Sequence, residues 1–323
     1  MRFLLRRLLH SLLLLAAASV IAFALVNLAP GDFYDALRLR PEVSAGTVAA
    51  IRSEHGLDRS LPEKYLGWLR SVLEGDWGVS LAYNSPARPI VWSRAKNTLL
   101  LGATATLLAW LLAMPLGLWV AAYPAKWSNA LVSVTISILL ATPELVLALL
   151  MLLFAVRTGY LPAGGMLDEA ARGSRAASLW EQAADLTRHL FLPTACLAAG
   201  LLPILVLHVR AAGKEALASP FVTAARAYGI PFRRVLLRHA LPAAANPLIS
   251  LVGLSLGLMM SSSLVVEAIF SWPGLGQLMW NAILERDFFL IVDAVLLATG
   301  FLIGANLLSD LLLYASDPRI RAG

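Results

Sequence analysis

Long apolar runs, separated by shorter stretches that hold most of the charged residues, extend over the whole chain. A helix that crosses a lipid bilayer needs about 20 mostly apolar residues. Six segments meet this requirement, at about residues 8–29, 98–123, 130–156, 190–209, 247–269 and 288–314. The pattern therefore predicts an all-α integral membrane protein with six transmembrane helices.

Two other stretches have the periodicity of helices that lie on a surface. Between Pro62 and Leu73, apolar residues recur at helical spacing at Tyr65, Leu66 and Leu69. Residues 176–189 show a comparable pattern. We expect the first of these helices to form a small cap within the long loop 30–97, and the second to lie at the membrane interface.

The composition supports a lipid environment. Hydrophobic residues make up 59% of the chain and charged residues 14%, whereas soluble domains carry about 25% charged residues. The first apolar run, from Leu8 to Ala29, exceeds the roughly 7–15 residues of a signal peptide. We therefore interpret it as a retained helix. The single cysteine, Cys196, excludes an intramolecular disulfide.

The distribution of basic residues predicts the orientation, because cytoplasmic loops of membrane proteins are enriched in lysine and arginine. Both termini and the loop after the fourth segment are expected in the cytoplasm. The net charge of +6 is then explained by contact with anionic lipid, and no nucleic-acid partner is expected. The basic residues on this side are Arg2, Arg6, Arg7, Lys126, Arg210, Lys214, Arg226, Arg233, Arg234, Arg238, Arg319 and Arg321.

A basic, interrupted stretch, FVTAARAYGIPFRRVLLRHALP, occupies residues 221–242 between two apolar segments. Ser219 and Pro220 suit the N-cap and first position of a helix, and Gly229 suits the left-handed residue after its end. Pro231 begins a second helix. A helix of about nine residues spans only about 14 Å, so it must lie outside the bilayer. By itself, this pattern also fits an ordinary basic cytoplasmic loop.

The motif TAARAYG, followed by Leu241 and Pro242, resembles the EAA signature of ABC-importer permeases. Thr223 occupies a position where the general signature has Glu, but Thr is usual in the dipeptide/oligopeptide branch. His239 departs from the usual Ile. NLAPGD after the first helix, WPGLG at Trp272–Gly276 and NLLSDLLLYASDPRIR near the end also match that branch. The resemblance covers nearly the whole chain.

This resemblance to the binding-protein-dependent transport inner-membrane components implies a type I permease fold with a cytoplasmic coupling helix. Such a helix seats in a groove of an ATPase subunit. The implied location is the inner membrane of a bacterium. The implied partners are a second permease, two ATP-binding subunits and an extracytoplasmic solute-binding protein. The residues to which the resemblance assigns the coupling role are Thr223, Ala224, Ala225, Gly229, Arg233 and Arg234.

No phosphate-binding G-x-x-x-x-G-K-[ST] loop and no paired-cysteine or H-E-x-x-H motif occurs in the sequence. We therefore expect no cofactor on this chain and no enzymatic activity, with ATP and Mg on the partner subunits. A self-sufficient secondary transporter and a membrane-embedded enzyme are the alternatives. Within the family, the substrate alternatives to peptides are nickel, glutathione and oligosaccharides.

Polar residues within apolar segments are candidates for the translocation pathway, because they are costly in a bilayer. Glu144 is predicted near mid-membrane, either lining the pathway or bonding helices together, and the family usually has no acid there. Asp293 either lines the pathway or reaches the interface. Glu267 either lines the pathway or supports the turn after its helix. Ser262 either lines the pathway or contacts a neighbouring helix.

These expectations divide the chain into three parts. Residues 1–97 form the first transmembrane helix with an extracytoplasmic cap segment. Residues 98–314 form a core of five helices that includes the coupling segment 213–246, and residues 315–323 form a cytoplasmic tail.

Overall fold

The computed structural model describes residues 2–28, 60–124, 127–167 and 178–316. Several sequence predictions fall outside the described residues. They concern the loop before residue 60, Lys126, the first two residues of the predicted interfacial helix 176–189 and the tail from residue 317 onward.

Helices make up most of the described residues, which also include a two-stranded antiparallel hairpin. In chain order the elements are α1 (Arg2–Leu28), α2 (Leu61–Glu74), β1 (Val79–Ser80), β2 (Ser85–Pro86), α3 (Ala87–Ala122), α4 (Trp127–Ala141), α5 (Glu144–Thr158), α6 (Leu179–Leu217), α7 (Pro220–Ala227), α8 (Phe232–Val235), a π-helical segment (Leu236–Ala240), α9 (Leu241–Ala243), α10 (Ala245–Ile269), α11 (Leu275–Glu285) and α12 (Phe288–Ser316).

Among the described helices, α1, α3, α6, α10 and α12 are each long and apolar enough to cross a membrane. The remaining predicted span, 130–156, is not one helix. It consists of α4 and α5, which are bent by 101° at Thr142 and Pro143. Proline has no N–H to donate and its ring clashes with the preceding turn, which accounts for the position of the break. The expectation of a continuous third helix is therefore wrong.

The fourth span begins earlier than the sequence predicted. α6 starts at Leu179 and continues for 39 residues, or ~58 Å at about 1.5 Å per residue, which exceeds the bilayer core. Its start is fixed by a capping box, in which Ser178 and Glu181 exchange hydrogen bonds between side chain and backbone. The separate interfacial helix expected over 176–189 is thus the first part of a longer one.

The chain divides into two compact units, and the first contains residues up to Thr98 together with Pro273–Ile303. Here the predicted amphipathic helix is confirmed as α2, which packs on α1. Phe23 of α1 meets Tyr65 edge to face, with ring centroids 5.4 Å apart, and Ser19 Oγ lies 2.9 Å from the Tyr65 hydroxyl. α2 ends at Gly75, whose φ of 91° is left-handed.

A buried carboxylate holds the β1–β2 hairpin in this unit. Asp287 Oδ2 accepts hydrogen bonds from Ser80 Oγ at 2.6 Å and from the Ala82 N–H at 3.1 Å. Its Oδ1 accepts from the Leu290 N–H at 3.3 Å, as an N-cap side chain does at the start of a helix. Asp287 therefore has a structural role, joining the hairpin to the beginning of α12.

The second unit contains Leu99–Trp272 and the residues from Gly304. α6 is its central helix, and α4, α5 and α10 pack against it. Small residues allow close approach: a methyl group added to Gly117 would lie 2.6 Å from Val209, and one added to Gly253 would lie 2.6 Å from Ser309 Cβ. Such contacts are the usual basis of helix packing in lipid, where no hydrophobic force drives helices together.

Candidate functional site

The coupling segment predicted from the sequence is built as a helix, a glycine turn and a second helical stretch. α7 begins after Ser219 and ends at Ala227, and Gly229 has a φ of 76°. The Gly229 N–H bonds to the Arg226 carbonyl, and the Ile230 N–H bonds to the Ala225 carbonyl. These two bonds form a Schellman motif, so the left-handed glycine ends α7 as predicted.

α7 is held against the second unit by one face. Val222 is fully buried and Ala225 is 8% exposed, and both belong to an apolar cluster with Val209 of α6 and Val235 of α8. The opposite face is open, and its exposed residues are Phe221, Thr223, Ala224, Ala227 and Tyr228. Tyr228, at 88% exposure, is more open than Phe221, at 48%.

This arrangement separates two alanines that the sequence had treated as equivalent. Ala224 lies on the open face, whereas Ala225 packs inward against its own chain. The helical repeat places neighbouring residues about 100° apart, so they cannot face the same surface. Ala225 thus supports α7 from within the unit.

The arginines after the turn lie at the surface. Arg233, Arg234 and Arg238 are exposed, and the guanidinium of Arg226 lies over the ring of Phe232 at 5.6 Å from its centroid. This cation–π contact joins the end of α7 to the start of α8. The segment therefore presents a basic surface beside the open face of α7.

The connection from α8 to α10 contains a π-helical segment that the sequence analysis did not predict. It covers Leu236–Ala240, and the Leu241 N–H bonds to the Leu236 carbonyl, five residues back. Pro242 follows and has no N–H to offer the Arg238 carbonyl, which explains why the regular helical bonding changes here. Within the described residues, His239 Nδ1 is buried and has no hydrogen-bond partner.

Glu144 is the first residue of α5, directly after the break in the third span. Its Oε1 is shielded from solvent and has no hydrogen-bond partner among the described residues. The Ser262 hydroxyl of α10 lies beside the carboxylate, and a methyl group added to Gly200 of α6 would lie 3.8 Å from Oε1. Two of the four pathway candidates, Glu144 and Ser262, are therefore neighbours.

The other two candidates are buried. Glu267 of α10 is fully buried, and its backbone carbonyl accepts a hydrogen bond from the Trp272 N–H in the turn after the helix. Asp293 of α12 is also fully buried by neighbouring residues, and whether it lies at the depth of the interface or in the pathway stays a prediction. The indole of Trp68 lies beside Asp293, but neither that N–H nor either carboxylate oxygen has a partner within the described residues.

Sequence reasoning missed several of these neighbours. Gly200 lies in an unremarkable apolar run, and no periodicity indicates that it faces Glu144. Trp68 was recognised neither as part of the amphipathic face of α2 nor as a neighbour of Asp293, although indole side chains with one polar atom are typical of such positions. Across the residues that the structure describes, no three His, Cys, Asp or Glu side chains gather as metal ligands.

Long apolar helices, close small-residue packing and a short helix outside the apolar spans are features of a multi-span membrane protein. Comparison with known families agrees: residues 113–322 match the binding-protein-dependent transport system inner membrane component, and residues 1–95 match the N-terminal region of such membrane components. The chain belongs to this family, the permease components of ABC importers.

Curated relatives align over almost the whole chain. A peptide permease protein of Brucella ovis is 34% identical, with 99% of each chain covered. The glutathione transport system permease protein GsiC of Salmonella typhimurium is 32% identical, again with 99% of each chain covered. The oligopeptide transport system permease protein AppB of Bacillus subtilis is 30% identical, with 98% of each covered.

A solved structure supports the fold. A chain of the MetNI methionine ABC transporter, determined in inward-facing conformations, superposes with a TM-score of 0.56. The match covers 71% of this chain and 96% of that one, at 19% sequence identity. The similarity in fold therefore extends over nearly all of the MetNI chain.

Proposed function

We propose that this permease forms, together with a second permease subunit, the translocation pathway of an ATP-driven importer for small peptides, a class that includes glutathione. Relatives that bear peptide, oligopeptide and glutathione names align over nearly the full chain. An extracytoplasmic binding protein would deliver the solute. Two separate subunits would bind ATP and Mg and hydrolyse ATP, and this chain would bind no cofactor.

The observation that carries this proposal is the build of α7. A helix of eight residues is too short to cross a bilayer. Val222 and Ala225 are buried and anchor the helix, whereas Ala224 and Tyr228 are exposed. An anchored helix with an open apolar and small-residue face fits the groove of a partner protein. Movement of that partner would be transmitted to α6 and α10 through the apolar cluster under α7.

In this proposal Thr223, Ala224 and Tyr228 contact the ATPase, and Gly229 sets the direction in which the chain leaves it. Arg233 and Arg234 are exposed and would bind acidic groups of the ATPase or anionic headgroups. Both termini and α7 would lie in the cytoplasm. Glu144, Ser262, Glu267 and Asp293 remain the proposed residues of the pathway.

Purification tests the proposal. The tagged chain, expressed with its genomic neighbours, is expected to carry with it a Walker-motif ATPase whose activity rises when binding protein and a di- or tripeptide are added. A secondary transporter or a membrane enzyme would purify and act without such an ATPase. Peptide import into proteoliposomes by this chain alone would contradict the proposal.

A further inference from the structure

The break between α4 and α5 places Glu144 so that its Oε1 has no hydrogen-bond partner among the described residues, and we infer that Glu144 forms a binding site for the primary ammonium group of the transported solute. This inference rests on the proposed function and adds the chemical group that the pathway recognises. The site comprises Glu144, the Ser262 hydroxyl and the space over Gly200.

The first argument concerns charge. Glu144 stands at the N-terminus of α5, where the helix dipole favours the ionised carboxylate. No Arg, Lys or His of the described residues pairs with it. An unpaired carboxylate is costly in an apolar environment, and a cation arriving from outside the chain would remove most of that cost.

The second argument concerns the other oxygen atoms that a cation would meet. Pro143 has no N–H to donate, so the Leu139 carbonyl accepts only a longer hydrogen bond, of 3.3 Å, from the Thr142 N–H. The Ser262 hydroxyl supplies a further oxygen atom. An ammonium group has three N–H donors and no acceptor, which matches a site made only of acceptors and one hydroxyl.

The third argument concerns space. Gly200 is the residue of α6 that faces the carboxylate, and a methyl group there would lie 3.8 Å from Oε1 and 4.0 Å from Cδ. A larger side chain would fill this space. The absence of a side chain at Gly200 leaves room for about one methyl group beside Oε1, an atom that is shielded from solvent.

Thiol chemistry tests the charge of the site without any substrate. Cys196 is the only cysteine of the chain, so Cys196→Ala provides a background for Ser262→Cys. In the assembled complex, we expect this variant to react faster with a cationic methanethiosulfonate than with an anionic one. Adding Glu144→Gln should reduce the ratio of the two rates by about tenfold or more, since a unit charge a few ångströms away is removed.

Ser261→Cys is the matched control. Ser261 is exposed and lies next to Ser262 on α10, so it points in another direction around the helix. The ratio of rates at this position should not depend on Glu144. A Ser262→Cys variant that is unreactive toward both reagents, or whose ratio is unchanged by Glu144→Gln, would overturn the inference.

Transport identifies the group that is recognised. We compare uptake of a peptide with a free amine and uptake of its des-amino analogue, and take the ratio of the two. The ratio is measured in the wild type and in Glu144→Gln. Because both complexes use the same binding protein, its own preference between the two peptides cancels. The variant should lower the ratio of amine to des-amino uptake at least fivefold, and Glu144→Asp should restore part of it. Equal ratios in wild type and Glu144→Gln would contradict recognition of the amine.

The two proposals fail in different ways. If the wild-type complex imports neither peptide, the peptide function is wrong, and the thiol ratio still tests whether Glu144 attracts cations. If both peptides are imported with ratios independent of Glu144, the peptide function stands and the ammonium site is wrong. Glu144 would then be a structural carboxyl group between helices.

Discussion

Gly229 shows how a single residue fixes the geometry of the coupling segment. Its φ of 76° is left-handed, and a methyl group added there would have no atom within 4 Å. Gly229→Ala should therefore cost about 1 kcal/mol through backbone strain alone. We expect a complex that still assembles but shows reduced peptide-stimulated ATP hydrolysis.

Asparagine tolerates the left-handed region better than other non-glycine residues, so Gly229→Asn is the control and should retain more activity than Gly229→Ala. The measurement is the ATPase rate with and without binding protein and peptide. Full stimulation in Gly229→Ala would show that the turn does not need the left-handed conformation.

Asp293 is a second residue with a clear physical expectation. Its carboxylate is fully buried beside Trp68 and has no hydrogen bond within the described residues. Because a buried charge without a partner destabilises a protein, Asp293→Asn should raise the apparent melting temperature of the purified protein by a few degrees.

Asp287→Asn is the matched comparison, because Asp287 accepts hydrogen bonds from Ser80, Ala82 and Leu290. That substitution should lower the melting temperature. If Asp293→Asn also lowers it, the carboxylate has a stabilising partner that the described residues do not include. Loss of import with gain of stability would favour a role of Asp293 in the pathway.

At the scale of the element, α7 provides a pair of adjacent positions with opposite roles. Ala224 lies on the open face. Ala224→Leu should therefore preserve folding, since leucine is nearly as good a helix former as alanine. It should instead lower ATPase stimulation several-fold by obstructing the proposed groove contact. Ala225→Leu should destabilise the permease by about 1–3 kcal/mol through overpacking of the apolar cluster.

Melting temperature and stimulated ATPase activity, measured on both variants, separate the two effects. The expected pattern is a normal melting temperature with lost stimulation for Ala224→Leu, and a lowered melting temperature for Ala225→Leu. The reverse pattern would mean that α7 presents its other face to the partner.

At the scale of the whole molecule, the orientation in the membrane is the main expectation. In the Cys196→Ala background, a membrane-impermeant thiol reagent should label Glu74→Cys in intact cells, because α2 is expected on the outer side. Tyr228 is 88% exposed, and Tyr228→Cys should be labelled only after the membrane is opened. Labelling of Tyr228→Cys in intact cells would reverse the proposed topology and remove α7 from the ATPase.

The sequence by itself determined the membrane class, the approximate positions of the apolar spans and the short helix that ends at Gly229. These properties depend on local chemistry: twenty apolar residues suffice for a span, and a serine–proline start with a glycine end suffices for a short helix. The family signature followed from the same local motifs.

Only the tertiary structure decided which side chains meet. Pro115, Pro193 and Pro203 stay inside continuous helices, whereas the chain bends by 101° at Pro143, because packing against neighbouring helices determines whether a proline interrupts a helix. Likewise Ala224 and Ala225 are the same residue type, but Ala224 is exposed and Ala225 packs into an apolar cluster of its own chain. Glu144 gained Ser262 and Gly200 as neighbours from helices more than fifty residues away, a relation that no local pattern contains.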